Sequence, residues 1–104
     1  MPDLRVCSTD DVAAGSAARF DVDGHRLCVV NIEGTYYVIG DECSHEDYSL
    51  AEGDVWEEER EIECPAHGST FSLVTGEPQS LPATRPVRIY DVRVEGDDVI
   101  VSVQ

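Results

Sequence analysis

Short apolar runs broken by turn residues cover most of this chain. Val6-Cys7-Ser8-Thr9 reads as a first strand. Residues 17–22, then Asp23-Gly24, then residues 26–32 read as a hairpin, because Asp-Gly supplies the two positive φ angles of a type I′ turn. Glu33-Gly34 makes the next turn, into the strand Thr35-Tyr36-Tyr37-Val38-Ile39. Residues 69–73 can form a further short strand. In residues 87–94, Val87, Ile89, Val92 and Val94 alternate imperfectly with Arg88, Tyr90, Asp91 and Arg93, as in a half-buried strand. Residues 95–98 turn that strand back into a last one at 99–103. Only a short piece around Tyr48 to Ala51 has helical character. The pattern predicts an all-β chain.

No repeat or linker interrupts it, and 104 residues allow one modest core, so residues 1–104 are read as a single domain. Residues 1–30 show no basic start followed by an apolar run, and no stretch is long enough to span a membrane. The expected location is the cytoplasm, with no membrane partner.

Charge narrows the partners. There are 22 acidic residues against 7 basic ones, all arginine, for a net charge of −15. Eleven of the acids fall in residues 41–63, with Arg60 the one base there. Phosphate repels such a surface, so no nucleic-acid partner is expected. The acidic run is either a solvated face or a docking surface for basic partners.

The chemistry sits in two clusters, Cys43-Ser44-His45 and Cys64-Pro65-Ala66-His67, with 18 residues between His45 and Cys64. Each pairs one thiol with one imidazole, and two such loops facing each other can hold a metal centre. Structural zinc is one reading, although zinc pairs usually stand further apart than Cys-x-His. The other is a Rieske [2Fe-2S] cluster, with two thiolates on one iron and two imidazoles on the other. Cys7 and Cys28 lie in strand-like runs and are read as buried free thiols, not as a disulfide. His25 reads as an exposed turn residue and Trp56 as a packing anchor. No hydrolytic triad or glycine-rich nucleotide fingerprint is present.

The spacing Cys-x-His followed by Cys-x-x-His-Gly at 64–68 resembles that of the Rieske ferredoxins, and the resemblance spans nearly the whole chain. It implies the Rieske fold: an antiparallel β-sandwich base with a cluster-binding lobe inserted at about 41–82. It implies that Cys43, His45, Cys64 and His67 bind the cluster, the cysteines on a buried iron and the histidines nearer solvent, where the electron leaves. Residues 81–86, with Pro82 and Pro86, resemble the loop that covers the cluster. Tyr48 and Ala66 stand where high-potential relatives carry a loop-joining disulfide. Ser69 matches a serine that bonds a bridging sulfide in those relatives, and Phe71 replaces the accompanying tyrosine. The missing disulfide resembles the ferredoxins of ring-hydroxylating dioxygenases, while Ser69 pulls towards the high-potential type; the expected potential lies in the lower part of the Rieske range. The expected function is one-electron transfer from a flavin-dependent NAD(P)H ferredoxin reductase to a terminal oxygenase, with no substrate transformed on this chain. Service to another pathway such as iron-sulfur assembly, or a module like the small subunit of nitrite reductase, are the alternatives.

Overall fold

In the computed structural model, residues 3–42, 49–65, 68–79 and 85–102 are described. Among the described residues nine strands follow in order: β1 (Asp3–Ser8), β2 (Ser16–Val22), β3 (His25–Ile32), β4 (Thr35–Gly40), β5 (Val55–Trp56), β6 (Glu61–Glu63), β7 (Thr70–Ser72), β8 (Ile89–Glu95) and β9 (Asp98–Ser102). All pair antiparallel, in a six-stranded sheet of order β1-β9-β8-β4-β3-β2 and a three-stranded sheet of order β5-β6-β7. The all-β antiparallel expectation holds.

The hairpin turns form where the dipeptides placed them. Val22 pairs with His25 across Asp23 (φ 50°) and Gly24 (φ 80°), the two positive φ angles that a type I′ turn needs. Ile32 pairs with Thr35 across Glu33 and Gly34 in the same way. The first strand is longer than its apolar run. It begins at Asp3, carries a bulge between Arg5 and Cys7, and stops at Ser8, whose side chain caps a single 3-10 turn at Thr9–Asp11. The bulge lets the consecutive residues Val6 and Cys7 both reach one core. Strand β8 starts at Ile89, two residues later than the alternation suggested. The short helical piece is a 3-10 turn at Leu50–Glu52.

Strand β3 is the wall between two cores. Its alternate residues Leu27 and Val29 pack with Val6, Val38, Tyr90, Val99 and Val101 inside the curled base. Cys28, Val30 and Ile32 face the other way and pack with Ile39, Leu50, Ile62, Cys64, Phe71 and Leu73. A strand buried on both sides reads as a near-continuous apolar run, which is what residues 27–32 are. Asn31 interrupts the run because its amide donates to the Val12 carbonyl and accepts from the Gly34 N–H. The second core fastens the small sheet to the base. Leu50, Ile62 and Phe71 are fully buried there, each worth about 2 kcal/mol relative to exposure.

The two cores also settle the spare thiols. Cys7 lies in the inner core and Cys28 in the outer one, on opposite faces of β3, and both are free.

Candidate metal centre

Of the four expected ligands the structure describes Cys64; Cys43, His45 and His67 lie outside the described residues, as do Tyr48, Ala66 and residues 81–84 of the covering loop. The described residues define how both ligand segments are anchored.

The second segment is the loop of the β6–β7 hairpin. The Cys64 N–H donates to the Ser69 carbonyl (2.7 Å), and the Gly68 N–H returns to the Cys64 carbonyl (3.1 Å). Gly68 has a φ of 77°, in the left-handed region that favours glycine, so a residue without Cβ closes the loop after His67. Cys64 is fully buried and in no disulfide, in the outer core with Ile62 and Phe71. A thiolate ligand needs an unoxidised sulfur shielded from water, and Cys64 meets both conditions. Ser69 is buried beside it, and Phe71 fills the core with its ring.

The first segment leaves the base after β4. Glu42 and Ser49 form an antiparallel bridge, so the chain departs and returns at one point, with Cys43 and His45 between them in sequence. Beneath the bridge lies Asp41, fully buried. Its carboxylate accepts from the Ser49 hydroxyl (2.5 Å) and from the Ala51 N–H (2.9 Å). Arg26 Nε stands 3.4 Å from the same carboxylate and Arg19 Nε 3.8 Å away. The Asp41 carbonyl accepts from the Leu50 N–H.

Leu50 and Cys64 share the outer core, so the stems of the two segments are packed together. Gly53, at the end of the 3-10 turn, runs directly against the Glu63 carbonyl, and the Glu63 N–H donates to the Asp54 carbonyl (2.8 Å). Sequence reasoning singled out neither Asp41 nor Gly53.

Several expectations shift here. Trp56 is not a packing anchor: its side chain is 45% exposed and its indole N–H donates to Glu63. Its strand lies at the edge of the small sheet, where one face meets water. The acidic run is not one solvated face, because Asp41 is buried in a clamp while Glu57, Glu58 and Glu59 form the exposed β5–β6 turn. His25 opens β3 and meets the Tyr90 ring edge-on at 6.2 Å. After β7 the Gly76 N–H donates to the Ser72 carbonyl, closing a turn. Arg85 and Pro86, the described end of the expected covering loop, are exposed, and Val87 is held by the Gly76 carbonyl.

Among the described residues no group of three or more His, Cys, Asp or Glu is placed to hold a metal ion. Burial pushes the Cys28 thiol well above the ordinary range, with the Asp41 charge adding to it. Burial and the nearby Asp11 carboxylate push Cys7 up to about 11. No helix among the described residues is long and apolar enough to cross a membrane.

Residues 3–91 match the Rieske [2Fe-2S] domain. The ferredoxin component of biphenyl 2,3-dioxygenase from Rhodococcus jostii (strain RHA1) is 37% identical over 100 residues, covering 96% of this chain and 92% of its own. The ferredoxin of carbazole 1,9a-dioxygenase from Nocardioides aromaticivorans IC177 superposes with a TM-score of 0.94 at 38% identity, over 100% of both chains. A ferredoxin solved in complex with the oxygenase of carbazole 1,9a-dioxygenase matches with a TM-score of 0.87 at 35% identity, over 96% of this chain and 92% of its own. Sequence, fold and the buried loop thiol agree: this chain belongs to the Rieske [2Fe-2S] domain family, and its cofactor is a Rieske-type [2Fe-2S] cluster.

Proposed function

We propose that this chain is the ferredoxin component of a ring-hydroxylating dioxygenase system. It takes one electron at a time from a flavin-dependent NAD(P)H reductase and delivers it to a terminal oxygenase. It is an electron-transfer component and transforms no substrate itself. The observation that carries this reading is full-length similarity, in sequence and in shape, to ferredoxins of such systems, one of them solved bound to its oxygenase.

In this reading Cys43 and Cys64 would hold one iron through thiolates, and His45 and His67 would hold the other through imidazoles. The cluster so held supplies a reversible one-electron store. Neutral imidazoles in place of two thiolates would make the bound group easier to reduce than a four-thiolate one. The chain's own part is rigidity and exclusion of water. The outer core buries the Cys64 side chain, and the hairpin closure between Cys64, Gly68 and Ser69 holds its backbone. The free thiols of Cys7 and Cys28 support a cytoplasmic location. Residues 1–104 act as one Rieske domain, with the lobe at about 41–82.

Anaerobically purified protein tests the proposal. The expected result is a visible spectrum of a Rieske cluster, equal amounts of iron and acid-labile sulfide, and reduction by a flavoprotein reductase with NAD(P)H. Zinc without acid-labile sulfide would overturn it.

A further inference from the structure

We infer that Asp41 is a positioning residue for the centre: its buried carboxylate holds the stem of the first ligand segment in register with the second. The inference rests on the proposed ligand set.

A fully buried carboxylate is expensive unless it is paired and hydrogen-bonded, and replacing such a group by an apolar one is often neutral or stabilising. A carboxylate used only to fill space at this position would be a poor choice. Asp41 instead joins three pieces of chain. Its carboxylate ties β4's end to Ser49 and Ala51, on the far side of the segment that carries Cys43 and His45. The guanidinium of Arg26, from β3, balances its charge at 3.4 Å, and Arg19, from β2, stands 3.8 Å away. Arg26 also reaches Glu42, the residue before Cys43.

Ser49 is where the expected local bond is given up. It occupies the cap position of the 3-10 turn and makes no side-chain cap bond there; its hydroxyl goes to Asp41. From Asp41 the link continues through its carbonyl to the Leu50 N–H, and Leu50 packs in the core that contains Cys64. The ends of the first segment are therefore fixed to the base and to the second segment by the protein's own contacts. That ordering removes part of the entropy cost of bringing ligands from two loops together.

The test uses holoprotein carrying Asp41→Ala, Asp41→Asn or Ser49→Ala, with Val101→Ala in the other core as a control for general destabilisation. Iron release to a chelator, the electron paramagnetic resonance spectrum of the reduced protein and thermal melting are read together. Loss of a group that orients metal ligands typically costs about tenfold or more in affinity. Asp41→Ala is expected to release iron about tenfold faster than wild type and to shift the resonance spectrum. Asp41→Asn, which keeps one acceptor oxygen, falls between the two. Val101→Ala lowers the melting temperature without moving the spectrum.

An Asp41→Ala protein with wild-type release and an unchanged spectrum overturns the inference. So does a Val101→Ala protein that, at an equal loss of melting temperature, releases iron as fast as Asp41→Ala while neither variant's spectrum moves. If Asp41→Ala does not fold, Ser49→Ala decides, since it removes one bond of the clamp: faster release with a shifted spectrum supports the role, and wild-type behaviour refutes it. These outcomes all require wild type to hold iron and sulfide. Wild type without them overturns the proposed ligand set first, and this inference with it.

Discussion

The carbonyl oxygen of Glu63 occupies the space where a side chain on Gly53 would begin: an ideal Cβ there would stand 1.6 Å from it. The contact places the 3-10 turn that ends the first ligand segment against the strand that leads into Cys64. Gly53→Ala must therefore push β6 away, and overpacking of this kind costs about 3 kcal/mol. The expected outcome is a lower melting temperature together with a lower iron content. Wild-type values for both in the purified variant would show that the strand yields easily.

Substitution of the ligands should separate the two kinds of donor. Cys64→Ser is expected to lose most of the iron and acid-labile sulfide while far-UV circular dichroism stays close to wild type, because Ile62 and Phe71 still fill the core. His45→Cys and His67→Cys should retain some cluster at a markedly lower potential, since a thiolate replaces a neutral imidazole. Potentiometry on the two cysteine variants checks this, and an unchanged potential would remove the imidazoles from the ligand set.

The two core thiols predict how stability responds to alkali. Cys7 is held up to about 11 and Cys28 well above the usual range, so the folded chain keeps both protonated when the unfolded chain would ionise them. A raised pKa gives stability that is complete below the unfolded value of about 8.5 and is lost as pH rises towards the folded value. Melting temperatures should fall between pH 9 and pH 11, less steeply for Cys7→Val. Iodoacetamide at pH 8 should leave both thiols unmodified in native protein, as read by mass spectrometry.

Glu57, Glu58 and Glu59 form an exposed turn on a chain of net charge −15. Exposed charges act over a Debye length of about 8 Å at physiological salt, and steering changes association rates more than affinities. Electron transfer to the oxygenase should quicken as salt is lowered. Replacing the three glutamates by glutamine should weaken that dependence without moving the potential. Stopped-flow reduction of the oxygenase at several ionic strengths measures it, and equal rates at low salt would make the turn a solvated surface only.

The residue string by itself determined what depends on local chemistry. Asp23-Gly24 and Glu33-Gly34 announced their turns because positive φ angles are a property of the dipeptide and its neighbours. The apolar runs at 26–32 and 35–39 announced strands, and the pairing of Cys-x-His with Cys-x-x-His is what the proposed donor set rests on. Tertiary structure decided the roles of residues whose meaning comes from what lies across space. Asp41 is one acid among eleven in its stretch, and nothing in its neighbours marks it as the one buried against Ser49, Arg26 and Arg19. Gly53 resembles any turn glycine until the Glu63 carbonyl arrives from ten residues away. Trp56 and Phe71 are both aromatic residues in short strands, yet the edge position of β5 exposes one while two packed layers bury the other. The short strands β5 and β6 escaped notice for the same reason: runs of two and three residues carry too little periodicity, and Val55 and Ile62 become a pair only once the chain has turned through Glu57–Arg60. Burial and pairing are sums over distant segments, so they become visible only when the chain has closed.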